Sequence, residues 1–150
     1  METKKETFIY KGLGFPIELI DCPMKKMIGE WVIDINMNTL QLFVFRNLLH
    51  KPFRLTGPEM RFMRKFLGLT CVELGENLDV SHATVVKWEK NQSEISGVQE
   101  VYIRMFFMEK LKDAEINELF KVIKPKMLAE SKTGKTPLPI HASHLLKEAI

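Results

Sequence analysis

The sequence predicts a mixed α+β protein, in which a small strand-rich module is followed by a five-helix domain. Apolar and polar residues alternate through much of residues 7–36, as they do in half-buried strands. From Thr56 onward the apolar residues instead recur at helical spacing, behind residues that commonly begin helices. The length of 150 residues, with 45% hydrophobic and 27% charged side chains, is typical of one or two small globular domains.

The N-terminal module is predicted from three alternating stretches, TFIYKG, FPIELID and GEWVIDIN. Glycine and proline residues around these stretches indicate turns. The next stretch, NTLQLFVFRNLLHKP, is predicted to be a connecting helix that ends at Pro52. We therefore expect the first domain, with its connecting helix, to span residues 1–53.

Three capping boxes predict where helices of the second domain begin. In each, a Ser or Thr and a Glu or Gln three residues later satisfy backbone N–H groups of the first turn. The pairs are Thr56 with Glu59, Thr70 with Glu73, and Ser96 with Gln99. Ser81 is predicted to begin a further helix, and DAEINELFKVI is predicted to be the last one. The second domain is thus expected over residues 54–123, and residues 124–150 as a tail ordered only in patches.

The stretches CVELGENL and SHATVVKWEK predict two short helices that cross steeply. Their connection, Leu78 to Val80, is only about three residues long, and so tight a link imposes the crossing of a helix-turn-helix. Gly75 provides the small residue that this crossing requires. Apolar contacts that would fix the angle come from Leu74, Leu78, Val80, Val85 and Trp88. Taken alone, the second helix could be an ordinary amphipathic helix, but its short partner and the tight turn favour DNA recognition.

The solvent face of the second helix is the predicted reading surface. It consists of Ser81, His82, Ala83, Thr84 and Lys87. His82 and Thr84 can donate or accept hydrogen bonds at base edges, and Lys87 can reach guanine O6 and N7. Ser81 is also the expected N-cap of this helix, where it can contact phosphate.

Three further residues are predicted to hold the DNA backbone. Thr70, with the amides at the start of CVELG, suits a phosphate contact at a helix N-terminus. Lys90 and Asn91 follow the second helix, where they are expected to contact the adjacent backbone. The net charge of +3 includes no polybasic arm, so DNA binding would depend on a few well-placed cations.

These residues resemble the Cro/cI-type (XRE) helix-turn-helix family over about residues 56–120, which implies a lambda-repressor-like domain. The matching positions are Leu67–Thr70, Glu73–Gly75, Val80–Ser81, Thr84–Val85 and Trp88–Glu89. The resemblance also implies an ion pair between Arg64 and Glu89. Asp79 departs from the family, which usually has Gly at this turn, so we expect the turn to form at some energetic cost.

The order of strands first and helix-turn-helix second resembles the MqsA-type (YgiT-type) antitoxins. The resemblance lies in FIYKGLGFPIELIDC, GEWVIDIN and LTGPEMRFMRK. That family carries a zinc-binding CxxC pair immediately before the GE, where this chain has Lys25 and Ile28, and Cys22 alone cannot supply the four ligands of a zinc site. The resemblance therefore implies a degenerate, zinc-less module in an antitoxin that binds a toxin and represses its own operon. The alternative is a generic phage- or operon-type repressor with an unrelated N-terminal interaction module.

The expected partner is double-stranded DNA with a palindromic operator. Readers of the Cro/cI type usually dimerise, so that two recognition helices meet successive major grooves about 34 Å apart. A homodimer is therefore expected. Its surface could be the helices at 98–111 and 113–123, which could equally be core.

We expect neither an enzyme nor a cofactor nor a metal site. Residues 129–136, AESKTGKT, fit a loose P-loop pattern, but prolines follow them where the pattern needs a helix. His141 and His144 have no further Cys or His beside them in sequence. The two cysteines make no disulfide framework. Since no apolar run approaches about 20 residues and no signal peptide is evident, a cytoplasmic protein without membrane contact is expected.

Overall fold

The computed structural model describes residues 2–111 and 137–148, the last three of these by their backbone alone. Within these ranges the chain forms four strands and six helices, so the predicted mixed α+β fold is confirmed. In chain order they are β1 (Thr3–Tyr10), β2 (Ile17–Met27), β3 (Glu30–Ile33), α1 (Met37–Leu49), α2 (Gly57–Phe66), α3 (Cys71–Leu78), α4 (His82–Glu89), α5 (Gly97–Leu111), β4 (Leu138–His141) and α6 (Ala142–Glu148). None of these helices is both long and apolar enough to cross a membrane.

The chain divides into two compact units. The first consists of residues 1–44 with 136–150, and the second of residues 45–135. We call them the sheet unit and the helical unit. The predicted helix over 113–123 and the P-loop-like stretch over 129–136 lie outside the described residues.

The sheet unit is built around β2, which pairs with all three other strands. β1 runs antiparallel along one edge, with Thr3 opposite Lys25 and Tyr10 opposite Ile17. On the other edge, β4 pairs parallel with the start of β2 and β3 pairs antiparallel with its end. Because β2 is the common neighbour, it holds the four strands in one sheet.

A bulge divides β2 into two halves with opposite alternation. Ile17 and Leu19 are buried before it, and Cys22 and Met24 are buried after it. Between them Asp21 has φ 53°, and its N–H donates to the Thr7 hydroxyl at 3.0 Å. The extra residue shifts the buried set from odd to even positions, so both halves of the strand face the same core.

Residues 137–148 differ from the expected tail, because they complete the sheet unit. β4 pairs with Ile17–Ile20 of β2, and Ile140 and Leu145 are buried. Pro139 is tolerated within β4 because β4 forms an edge, where a missing N–H leaves no bond unmade in the sheet. The prolines that suggested a tail are therefore compatible with a short edge strand.

The boundary between the units lies within α1, earlier than the predicted limit at residue 53. The ring of Phe45 lies with its centroid 4.9 Å from that of Phe66 and 6.2 Å from that of Phe107. Leu48 and Leu49 are fully buried as well. The second half of α1 is thus part of the core of the helical unit. The prediction that all of α1 serves only as a connection was wrong.

A buried arginine holds the segment between α1 and α2. Arg104 is fully buried, and its guanidinium donates to the carbonyls of Leu49, Lys51 and Phe53. It also pairs with Glu100 at 2.6 Å, and that carboxylate accepts the N–H of Leu55. Burial lowers the pKa of Arg104, while the charge of Glu100 opposes this effect. These bonds satisfy a turn that has no regular structure of its own.

Candidate nucleic-acid interface

The three predicted capping boxes are all present, so the predicted helix starts are confirmed. The hydroxyls of Thr56, Thr70 and Ser96 accept N–H groups three residues on, at 3.2, 3.0 and 3.1 Å. The reciprocal bonds form too, in which a side-chain oxygen of the Glu or Gln partner accepts the backbone N–H of the capping residue. Ser81 caps α4 by accepting the N–H of Thr84 at 3.1 Å. Local sequence therefore fixes where α2, α3, α4 and α5 begin.

The turn between α3 and α4 forms with Asp79 in the left-handed conformation, at φ 56° and ψ 43°. The N–H of Val80 donates to the Gly75 carbonyl at 2.9 Å, and that of Asp79 to Glu76 at 3.4 Å. These two backbone hydrogen bonds together form a Schellman motif, which usually has Gly at the left-handed position. Asp79 therefore occupies a position that favours glycine, and the turn still forms both of its hydrogen bonds.

Gly75 lies where α3 meets the start of α4. A Cβ at this position would approach the Val80 carbonyl oxygen to 2.7 Å. No other residue fits there without moving the backbone. The predicted small residue at the crossing is confirmed, and it sets how closely the two helices approach.

The inner face of α4 is anchored to the core and to α2. Val85 is fully buried and Trp88 nearly so. Arg64 of α2 pairs with Glu89 through two bonds, from Nε to Oε2 at 2.6 Å and from a terminal nitrogen to Oε1 at 3.0 Å. The bond to Glu89 raises the pKa of Arg64. The ion pair implied by the family resemblance is therefore present, and it ties α2 to the end of α4.

The outer face of α4 carries the side chains that were predicted to read DNA. Ser81, His82, Ala83 and Lys87 are exposed and Thr84 is half-buried. The hydroxyls of Ser81 and Thr84 lie 2.9 Å apart and share a hydrogen bond. His82 and Lys87 are thus the two long side chains that project from this face into solvent.

The flanking predicted residues fall into two groups. Thr70 and Lys90 are exposed, next to the start of α3 and the end of α4. Asn91, although exposed, takes part in the fold: it adopts φ 57°, and its side-chain oxygen accepts the N–H of Gly57 at 2.8 Å. Gly57 is buried against the end of α4, so closely that an added Cβ would collide with the Glu89 carbonyl. Asn91 therefore closes α4 against the start of α2.

Two cations on α2 were not among the DNA contacts predicted from the sequence. Arg61 and Lys65 are exposed one helical turn apart, and both interact electrostatically with Cys71, the first residue of α3. Burial and the charge of Glu89 raise the pKa of the Cys71 thiol by more than Arg64, Arg61 and Lys65 lower it. The signal was available in the RFMRK stretch, where Arg61 and Lys65 lie four residues apart and so share one helix face. Through Cys71 these two cations act on the N-terminus of α3, which Thr70 caps.

Replacement of Asp79 by glycine should stabilise the protein. Glycine adopts the left-handed conformation without the steric penalty of a Cβ, and its greater freedom in the unfolded chain offsets only part of this gain. We expect Asp79→Gly to raise the free energy of unfolding by about 0.5 kcal/mol. Urea denaturation would measure the change, with Asp79→Ala as a control that keeps the Cβ and should destabilise. A glycine variant less stable than the wild type would show that the turn is not strained.

Neither histidines nor cysteines assemble a metal site in the part of the chain that is described. The rings of His141 and His144 lie 5.4 Å apart by centroid, but no third His, Cys, Asp or Glu joins a group there that could hold a metal ion. Cys22 is buried, and this burial, with Glu6 and Asp34 nearby, raises the pKa of its thiol to about 11. Such a thiol stays protonated at neutral pH and is a poor metal ligand.

Comparisons with protein-family models, with curated proteins and with solved structures find no match for this chain. The resemblances to the Cro/cI-type and MqsA-type families therefore stay predictions.

Proposed function

We propose that the helical unit is a helix-turn-helix domain that binds double-stranded DNA in a sequence-specific manner, and that the protein regulates transcription. In this proposal α4 is the recognition helix. One observation carries it: α4 is fixed on one side by Val85, Trp88 and the Arg64–Glu89 pair, while its N-terminal residues project polar side chains outward. A helix held in this way can enter a groove without changing its own structure.

The chemistry of the projecting residues suits base edges in the major groove. That groove is about 12 Å wide and admits one α-helix. The Lys87 ammonium can donate to guanine O6 and N7, and the imidazole of His82 can donate or accept at a neighbouring base. Ala83 is small enough to let the helix approach closely and to contact a thymine methyl group.

Phosphate contacts would set the depth and direction of α4. Thr70 caps the N-terminus of α3, and Arg61 and Lys65 of α2 interact electrostatically with its first residue. Lys90 follows the end of α4. The carboxylate of Glu73 caps the same end of α3 and would repel a phosphate. The nearby Glu89 carboxylate is paired with Arg64, so Arg61 and Lys65 against Glu73 leave that end positive, in the same sense as the helix dipole.

A homodimer would let two copies of α4 meet successive major grooves. Of the described helices, α5 offers the most exposed apolar side chains, since Val98 is 68% and Tyr102 is 52% exposed and both lie on one face. Most of α5 is buried in the core of the helical unit, so in this proposal only its exposed face, with Val98 and Tyr102, would contact the second copy.

In vitro selection from random DNA duplexes tests the proposal. The purified protein should enrich a palindrome with half-sites about one helical turn apart, and the logarithm of its affinity should fall linearly with the logarithm of salt concentration. The competing class is an interaction module whose helices serve only the fold. That class predicts no enriched sequence and no salt-dependent affinity for DNA.

Removal of the α2 cations should weaken binding without changing the sequence preference. Because each phosphate contact contributes close to one unit to the salt slope and a dimer makes each contact twice, we expect Arg61→Ala with Lys65→Ala to reduce the slope by about 4. Lys11→Ala with Lys110→Ala removes two exposed cations elsewhere and should leave the slope unchanged. Equal slopes for the two double variants would remove α2 from the interface.

The narrower prediction is an antitoxin that represses its own operon, and it is supported by the family resemblance alone. A neighbouring gene whose product resembles an RNase and binds the purified protein would favour it. A generic repressor predicts DNA binding with no such neighbour.

A further inference from the structure

The tip of the β2–β3 hairpin has an unfavourable residue for its shape. Ile28 and Gly29 connect the paired residues Met27 and Glu30, and both have positive φ, 51° and 79°. A two-residue turn of this kind strongly prefers Asn-Gly or Asp-Gly. A β-branched residue at positive φ is a genuine outlier, because its side chain crowds the backbone. Isoleucine at this position therefore strains the turn.

The same isoleucine contributes no burial to the fold. Its side chain is 100% exposed, and that of the neighbouring Met27 is 47% exposed. Asparagine would relieve the strain and would also remove an apolar side chain from water. A residue that strains its turn and buries no apolar surface does not help the chain to fold, which suggests that it serves to bind a partner.

The charges around the tip are balanced. Three lysines on β1 and β2 each lie close to a carboxylate: Lys4 to Glu6 at 3.2 Å, Lys25 to Asp34 at 3.5 Å, and Lys26 to Glu2 at 3.8 Å. Lys4 also covers the ring of Trp31 at 4.4 Å. An anionic membrane or a nucleic acid requires an excess of cations, which this balanced surface lacks. A protein partner fits it better.

The small area of the tip also argues against pairing with the same tip of a second copy of this chain. Two side chains meeting two identical ones would bury far less than the roughly 800 Å² per partner of a stable interface. A convex tip instead needs a concave surface that encloses it. We propose that the β2–β3 tip anchors a different protein, with Ile28 in a narrow apolar pocket of that partner and Met27 at the pocket rim. This proposal is independent of DNA binding, because the tip belongs to the sheet unit.

The Ile28→Asn variant separates stability from binding. It creates the favoured Asn-Gly turn, so we expect the melting temperature of the full chain to rise by about 2–4 °C. It also removes the anchor, so affinity for the partner should fall roughly 30-fold. Ile9→Asn is the control, because Ile9 is 44% exposed and pairs with Glu18 at the opposite end of β1. Affinity of Ile9→Asn should equal that of the wild type.

The partner is identified first, by placing the photoreactive residue p-benzoylphenylalanine at the exposed position Glu30 of the full chain in its own cells. Mass spectrometry identifies the cross-linked protein, and calorimetry with that purified protein gives the affinities of the wild type and both variants. A distinct protein that binds Ile28→Asn roughly 30-fold more weakly, and Ile9→Asn normally, supports the proposal.

Several results would overturn it. They are a lower melting temperature for Ile28→Asn, equal affinities, cross-links to this chain alone or to nothing, and flotation of the protein with phosphatidylglycerol vesicles. DNA affinity should be the same for Ile28→Asn and the wild type in every case, so failure here and failure of the DNA-binding proposal are distinguishable.

Discussion

The double variant His82→Ala, Lys87→Ala is expected to bind the selected palindrome at least about 100-fold more weakly than the wild type. Each good base contact contributes about 1–3 kcal/mol, and a dimer makes each contact twice. Both side chains are exposed, so their truncation should change the free energy of unfolding by no more than about 0.5 kcal/mol. Fluorescence anisotropy would give the affinity and urea denaturation the stability.

The Lys87→Arg variant is the matched control for this experiment. Arginine keeps the positive charge and can donate two bonds to guanine O6 and N7, so most of the affinity should remain. Affinity for scrambled duplexes should change little in the double variant, because phosphate contacts dominate non-specific binding. An unchanged affinity for the palindrome in the double variant would show that α4 is not the reading helix.

Loss of Arg64 should have the largest effect on stability. The side chains of Arg64 and Glu89 are only 9% and 6% exposed, so Arg64→Met leaves the Glu89 carboxylate buried without its partner. Arg64 also donates to the Leu69 carbonyl at 2.8 Å, in the connection between α2 and α3. Breaking such a pair on one side costs about 3–5 kcal/mol. Urea denaturation should show this loss, and DNA affinity should fall with it, because the pair holds the end of α4.

A double-mutant cycle separates the ion pair from general damage to the core. Arg64→Met with Glu89→Met removes both charges, so the double variant should be more stable than either single one. Lys4→Met breaks the exposed pair with Glu6 and should cost less than about 1 kcal/mol. Strictly additive losses for Arg64 and Glu89 would contradict the coupling proposed between α2 and α4.

The features that sequence predicts well are those made by residues close together in the chain. Each capping box joins residues three apart, and the Schellman turn at Asp79 joins residues within one helical turn. Gly75 could be predicted for a related reason, because the short connection between α3 and α4 requires a close approach. These local constraints give most of the candidate site.

The features that sequence misses depend on contacts between distant residues. β4 pairs with β2 across more than half of the chain, and nothing in LPIH indicates which strand it joins. Arg104 reaches carbonyls in the α1–α2 segment from α5. Asn91 looks like a phosphate contact in sequence, but its side chain binds the backbone of Gly57 at the start of α2. In each case the partner is decided by packing, which a one-dimensional pattern does not encode.

The most direct measurement is the mapping of backbone amide chemical shifts as the selected duplex is added to the protein. The DNA-binding proposal predicts the largest changes at Thr70–Cys71 and at Ser81–Lys87, with β1–β3 of the sheet unit unchanged. Changes confined to the sheet unit, or no change along α4 at saturating duplex, would contradict it.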